Sequence, residues 1–320
     1  MAALPLDIIV DILLKLPTQS LCRFKCLSKL FRALITNPRF VKIHQTKNQQ
    51  RRTLVLVDVR SSFDCLRICC SCNGLLCRSL RDETATETFF IYHCSTREFK
   101  RIPNDYEPFT NRDTPLVSLG YAQSIDEFKV LGFSDSYRNA KAVVAVHVFS
   151  LWNNTWNAFE TNFKFFHHCS RVTNLNGTVH FSFCKLNCDY MIAAFDLAKD
   201  KFKFLALPDN VCQYSKYLYS IVGNCLCLIS ESTLLSKEFW IMKEYEVRES
   251  WTRISFANSI QALQPLCSMK DSDFILSVLD EKFVLIDPKD GKKYEDLMID
   301  GFQENVRTYY VEAESLISPK

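Results

Sequence analysis

LPLDIIVDILLKLPTQSLCRFKCLSKLFRALITNPRFVKI, residues 4–43, is the stretch from which this 320-residue chain is best read. Ile8, Ile9, Ile12, Leu13 and Leu16 recur at helical spacing and predict one apolar stripe. Asp7 stands where a carboxylate favours a helix N-terminus. Pro17 stops the first helix, because the residue before a proline avoids the α region. Ser20 is expected to cap a second helix carrying Leu21, Phe24 and Leu27, and Ser28 a third carrying Phe31, Leu34 and Ile35. Asn37-Pro38 breaks the pattern before a last short turn with Phe40, Val41 and Ile43. About forty residues this rich in Leu, Ile and Phe cannot bury all their apolar surface in a core of their own. Part of it is expected to be covered by another protein. The plainer alternative is a helical cap packed on the rest of the chain.

Working outward, residues 44–53 (HQTKNQQRRT) are polar and aperiodic, and read as a helix end running into a linker. The expected division is a helical unit over 1–47, a linker over 48–53 and a β body over 54–320, a small module and a larger one that length allows. No apolar run is long enough to span a membrane, and Asp7 and Asp11 interrupt what would otherwise be the core of an export signal. A cytoplasmic or nuclear location, with no membrane contact, is the expectation.

The fifteen cysteines are odd in number and scattered through strand-like runs. Without an export signal they read as reduced, buried, small apolar residues. Cys65, Cys69, Cys70, Cys72 and Cys77 contain one CxxC. Structural zinc wants a second ligand pair at regular spacing, and only His93 and Cys94 lie nearby. No metal and no cofactor are expected.

Up to Arg52, ten Lys or Arg face only Asp7 and Asp11, a balance of about +8; against +3 overall, the rest carries about −5. Lys15, Arg23, Lys25, Lys29 and Arg32 lie opposite or between the apolar positions, without the aromatic stacking array that single-stranded nucleic acid uses. An acidic protein is therefore the expected partner, and nucleic acid is not.

The body repeats. An apolar-aromatic strand, a short polar turn and a second aromatic strand recur from Phe89, Val146, Ile192, Phe239 and Phe283. The matching Phe149, Phe195, Trp240 and Ile286 are about 46 residues apart, whereas Tyr92 precedes Phe149 by about 57. One unit thus carries roughly eleven extra residues, placed around residues 134–140. Gly74, Gly120, Gly177 and Gly223 follow the same register, each expected at the start of an inner strand. Phe149 with Trp156, and Trp240 with Trp251, are expected to pack between neighbouring units. A period near 45 with several strands per unit predicts propeller blades. TLVLVDV from Thr53 and VRTYYVEAESLI from Val306 are expected to close the ring in one shared blade, giving about six. The alternative body is a two-sheet β-sandwich.

Leu4-Pro5, the stripe from Ile8 to Leu16, Leu16-Pro17, Ser20-Leu21, Arg23-Phe24, Cys26 and Ser28-Lys29 resemble the plant F-box. Leu6 stands where that family usually has an acidic residue, and Phe31 where it usually has Trp. CNGLLC from Cys72, STREFKRIP from Ser95, NGTVHF from Asn176, FWIMKEYEVRESWTRI from Phe239 and YVEAESLI from Tyr310 look like the F-box-associated interaction domain of plants, a kelch-like propeller without the kelch diglycine. The resemblance implies a non-catalytic substrate receptor of a Skp–cullin–F-box ubiquitin ligase. Leu4, Pro5, Ile8, Leu13, Leu16, Leu21, Phe24, Leu27 and Phe31 would dock on the Skp adaptor, and through it on cullin and RING subunits. The body would hold a client protein.

The different-class alternative is a propeller enzyme or carbohydrate-binding protein. No G-x-S-x-G, H-E-x-x-H, P-loop or dinucleotide fingerprint supports it. His167-His168 with Cys169 reads as a loop lip, since adjacent strand residues face opposite ways; Asp271 and Asp273 sit in a polar turn without a partner acid. Client recognition is expected on the irregular stretches 104–114, 134–141, 163–171 and 209–217. Their anchors would be Tyr106 and Phe109, Tyr137 with Arg138, Phe165 with His167, and Tyr214, aromatic and arginine side chains of the kind that dominate interfaces.

Overall fold

The computed structural model describes residues 4–47, 52–58, 66–81, 87–103, 116–138, 141–161, 172–184, 190–209, 211, 216–222, 225–231, 237–254, 264–268, 275–279, 282–287, 293–297, 306–313 and 315–316. Four helices come first: α1 (Leu6–Leu13), α2 (Thr18–Phe24), α3 (Lys29–Thr36) and α4 (Pro38–Lys47). Three local expectations are corrected. The first helix ends at Leu13, before the proline. Pro17 instead is the N-cap of α2, its carbonyl accepting from the Leu21 N–H at 3.1 Å, so Ser20 lies inside the helix and caps nothing. The last short turn is a ten-residue helix, α4. Ser28 does cap α3, accepting from the Phe31 N–H at 3.1 Å. α4 is locked to the rest by His44, buried, whose Nε2 lies 2.9 Å from the Leu16 carbonyl.

The body is a propeller. β1 (Arg52–Asp58) stands apart from the first four-stranded sheet, which is β2 (Leu66–Cys72), β3 (Leu75–Arg81), β4 (Glu87–His93) and β5 (Phe99–Arg101). The second is β6 (Leu116–Ala122), β7 (Glu127–Arg138), β8 (Lys141–Ser150) and β9 (Thr155–Thr161). The third is β10 (Thr173–Leu175), β11 (Thr178–Cys184), β12 (Tyr190–Asp196) and β13 (Lys201–Leu205). The fourth is β14 (Lys216–Val222), β15 (Cys225–Glu231), β16 (Lys237–Met242) and β17 (Trp251–Ile254). The fifth is β18 (Gln264–Ser268), β19 (Ile275–Leu279), β20 (Lys282–Ile286) and β21 (Lys293–Leu297). β22 (Val306–Ala313) then pairs antiparallel with β1, from Arg52 opposite Ala313 to Asp58 opposite Val306. The inner strands β2, β6, β10, β14, β18 and β22 contact one another in a closed cycle, with β22 against β2. The described strands make six blades, one of them built from β1 and β22. A sandwich would instead stack two sheets face to face.

The core lies between blades. Leu75, Cys77, Phe89 and Ile91 of the first meet Leu119, Val130 and Phe149 of the second. Leu131, Phe133 and Val146 of the second meet Val179, Phe181 and Phe195 of the third. The repeat positions Tyr92, Phe149, Phe195, Trp240 and Ile286 all fall on the third strand of their sheet, which is the physical origin of the period. Phe149 and Trp156 face each other on adjacent strands, ring centroids 5.1 Å apart, and as expected the pair packs between blades, in the core shared by the first and second; Trp240 and Trp251 do the same between the third and fourth. The tryptophans reach the neighbouring blade through their indoles. Trp156 donates to the Pro103 carbonyl at 2.8 Å and Trp251 to the Ala206 carbonyl at 3.1 Å, each just past the outer strand of the preceding blade.

The glycine register is corrected in part. Gly74 and Gly177 sit in two-residue Asn-Gly turns with positive φ at both residues (48° and 81°, 51° and 74°), the geometry that matches strand twist in a tight hairpin. They lead into the second strand, not the inner one. Gly120 lies inside β6, where an added Cβ would meet Leu197 at 2.3 Å and Asn174 at 2.9 Å. Close approach of the third blade, and not a turn, explains it. Gly223 lies outside the described residues. Residues 134–138, expected to be irregular, continue β7 and pair with 141–145. β7 and β8 are 12 and 10 residues long, against seven in β3 and β11, so the extra chain lengthens a hairpin.

Candidate functional site

Within the helical unit, packing divides the apolar residues into two sets. Leu13, Leu14, Leu21, Ile35 and Phe40 are buried together, with Ile9, Val10, Leu16, Phe24, Phe31 and Leu34 partly buried around them. Phe24 and Phe31 rings lie 5.9 Å apart. Leu4, Leu6, Ile8, Ile12, Leu27 and Leu30 are exposed, between 46% and 64% of their surface, and Pro5 is exposed beside them. Ile8 and Ile12, one turn apart, thus share an outward face of α1, and the stripe read as single is split between inside and outside. Of the nine expected docking residues, Leu4, Pro5, Ile8 and Leu27 lie at the surface. Leu16, Phe24 and Phe31 lie at its margin, and Leu13 and Leu21 lie in the core. Ile12, Leu6 and Leu30 belong with the exposed set and are not among those nine; an alternation of stripe positions does not say which edge of the stripe faces out. Lys15, Arg23, Lys29 and Arg32 are exposed on the same unit.

The helices sit at one end of the propeller. β1 begins and β22 finishes at that end, since Arg52 pairs with Ala313. Leu316, just beyond β22, is 4% exposed and packs in the helical core. The helices therefore do not form their core alone, as a division into two separate units implies. The β4–β5 turn faces α2, with Glu98 near Cys22. His93 is buried there, its Nδ1 accepting from the Ser95 and Thr96 N–H groups at 3.2 and 3.1 Å. Burial lowers its pKa to about 4, with Glu98 opposing and the Lys25 charge adding to the shift. The turns at 73–74, 94–98, 123–126, 151–154, 176–177 and 197–200 follow the first or third strand of a blade and open at this same near end. Cross-blade contacts keep them together: Gly177 lies against Tyr121 and Ala122, and Lys129 pairs with Asp200 at 2.8 Å.

The far end takes the opposite ends of the described strands. The strand ends that flank 104–114, 163–171 and 209–217, and the tip of the β7–β8 hairpin, all point there. Tyr106, Phe109, Phe165, His167 and Tyr214 lie outside the described residues. Tyr137 and Arg138 are the last two residues of β7, opposite Ala142 and Lys141 at the hairpin tip. The four candidate segments, chosen separately, are thus all flanked by strand ends on one side of the ring, opposite the helices.

His167, His168, Cys169, Asp271, Asp273 and Cys65, the candidates for chemistry or metal binding, lie outside the described residues. Cys70 lies opposite Cys77 in the β2–β3 pair. Burial raises the Cys70 thiol pKa, and a hydrogen bond to Cys77 together with burial raises that of Cys69, so both stay protonated thiols. Among the described residues no three His, Cys, Asp or Glu side chains gather as metal ligands. No described helix is long and apolar enough to cross a membrane.

Two family models match the chain and agree with this architecture. Residues 1–43 match the F-box domain, and residues 27–318 match the F-box associated beta propeller domain. F-box protein CPR1 of Arabidopsis thaliana is 25% identical, over 93% of this chain and 85% of its own. F-box protein At5g49610 of the same plant is 26% identical, over 92% and 91%. Among solved structures, the β-propeller domain of the Trilobed protease from Pyrococcus furiosus has a TM-score of 0.43 and 10% identity, covering 73% of this chain and 71% of that one. With its match running across most of the chain and an F-box at the N-terminus, this protein belongs to the F-box associated beta propeller family of F-box proteins.

Proposed function

We propose that this protein is the substrate-recognition subunit of a Skp–cullin–F-box ubiquitin ligase. The observation that carries the reading is the exposed apolar set of the F-box. Leu4, Leu6, Ile8, Ile12, Leu27 and Leu30 stay uncovered although the body packs against the same helical unit at Leu316. Exposed apolar side chains gathered on so small a unit suit a protein interface. The basic residues among them suit an acidic adaptor, which also fits the F-box match. In this reading the surface residues Leu4, Pro5, Ile8 and Leu27, with Phe24 and Phe31 at the margin, touch the Skp adaptor. Leu13 and Leu21 act by holding the helices in place.

The client is read at the far end of the propeller, by the hairpin tip at Tyr137 and Arg138 and by the connections carrying Tyr106, Phe109, Phe165, His167 and Tyr214. The chain itself makes and breaks no bond. Ubiquitin transfer belongs to other subunits, and this one raises the effective concentration of client lysines near the charged enzyme. Putting adaptor and client at opposite ends leaves both surfaces free at once.

The test is direct binding of the purified full chain to a purified Skp-family adaptor. A stable complex is expected, and the Leu4→Ala, Ile8→Ala, Leu27→Ala triple variant should lose it while remaining folded by circular dichroism. A folded wild-type chain that does not bind the adaptor would overturn the reading. Turnover of glycosides by the wild-type chain would point instead to the propeller enzyme.

A further inference from the structure

The F-box core contains a residue from the other end of the sequence. Leu316 is packed with Leu13, Leu14, Leu21, Ile35 and Phe40, about three hundred residues away along the chain. Its neighbour Ser315 is 1% exposed, and the buried His93 of the first blade faces the Ser315 backbone. The chain leaves α4 at Lys47 and enters β1 at Arg52; β1 pairs with β22, and β22 leads straight back to Ser315 and Leu316. The strand pair that closes the propeller therefore also delivers the side chain that fills the helical core.

We infer that the C-terminal segment through Leu316 is a structural part of the adaptor-docking unit, so that the helices complete their core only when the last strand of the propeller is in place. The physical argument is one of size. A helical unit of about forty residues is too small to bury a generous core by itself. Five of its own apolar side chains are buried, and Leu316 is the sixth member of that cluster. A leucine missing from so small a cluster leaves a void that the neighbours cannot fill without moving the helices on which the exposed docking residues stand. The consequence is functional. β22 follows the other propeller strands in the chain, so a chain that lacks it, or whose ring has not closed, presents an incomplete docking unit. The closed propeller and the adaptor surface form one cooperative unit, and the tie fixes how the far end is aimed relative to the adaptor. This rests on the adaptor reading above only for the binding half of its test.

The experiment compares full chains carrying Leu316→Ala, Leu316→Asp and Leu316→Met by hydrogen exchange and by adaptor binding. With Leu316→Ala, amides of α1, α2 and α3 should exchange at least about thirtyfold faster while those of β3, β7 and β8 hold, and adaptor affinity should fall by a similar factor. Leu316→Met, nearly equal in volume, should restore both. Leu316→Asp should exceed the alanine effect; if it unfolds the whole chain, the alanine variant decides. Unchanged helical exchange in the alanine variant, or alanine and methionine variants that behave alike, would overturn the inference. If the wild-type chain bound no adaptor, the functional reading would fail, and the exchange arm would still judge the tie.

Discussion

At the near end of the propeller, where the helices sit, two of the described turns are tight: Asn73-Gly74 and Asn176-Gly177 join strands with two residues each. Arg97, Asp126, Asn154, Asp200 and Glu246 each hold a left-handed conformation in the other described turns of that end. At the far end lie the strand ends that bound 102–115, 162–172 and 206–215, and the β7–β8 hairpin runs on to Arg138 and Lys141. The contrast teaches how one scaffold divides its work. Tight turns fix the near end and let it carry a second packed unit. Longer connections on a rigid scaffold are where recognition can vary. In the proposed function this division gives the adaptor the near end and the client the far end.

The comparison can be broken in four ways. The largest effect is expected inside the helical unit. Leu21→Ala, at a fully buried site, should cost about 3 kcal/mol of stability, because a large-to-small change in a core loses contacts and leaves a cavity. Ile8→Ala, at an exposed site, should leave thermal unfolding unchanged and weaken adaptor binding. Calorimetry and titration on the same two variants check this; equal destabilisation by both would erase the inside–outside division.

Acid should act next. His93 and His180, buried at the near end of the first and third blades, have pKa values lowered to about 4, chiefly by burial. The His180 Nε2 lies 2.7 Å from the Tyr245 hydroxyl, whose own pKa burial raises to about 12. The unfolded chain takes up protons near pH 6.5 and the folded chain only near 4. Stability is therefore full above about 6.5 and falls as pH drops toward 4, by at most about 1.4 kcal/mol per pH unit for each histidine. Unfolding midpoints from about pH 7 to about pH 4.5 measure it, and His180→Phe should flatten the slope. A stability independent of pH over that range would show that neither imidazole is held neutral.

Replacing 134–141 with a short Gly-Ser turn should leave folding and adaptor binding intact and reduce client capture about tenfold, the weight of one good interface anchor. Capture by the variant equal to that by the wild type would remove the hairpin from the far-end surface. The smallest effect is expected at Trp251→Phe, which keeps an aromatic ring but removes the hydrogen bond to the Ala206 carbonyl. About 1 kcal/mol should be lost in denaturant unfolding. No loss would mean that ring packing alone joins those blades.

Local order along the chain was enough to fix much of this protein. The helical unit showed itself through apolar periodicity and the Ser28 cap, and the blades through third-strand aromatics about 46 residues apart. Asn73-Gly74 and Asn176-Gly177 carry a local turn signal that the register reading passed over, because only a few residue types accept two positive φ values in succession. These are properties of short segments, and short segments are what a sequence states directly. Three things were settled only by tertiary structure. Whether Leu13 or Ile12 faces inward depends on where the other helices lie, not on the stripe that both belong to. Spacing groups Gly120 with the turn glycines, because it cannot distinguish a tight turn from a strand pressed against the next blade. The gathering of distant connections at one end, and the burial of Leu316 among α1–α4, follow from closing the ring. Closure brings together residues separated by almost the whole chain, and no local pattern records which of them will meet.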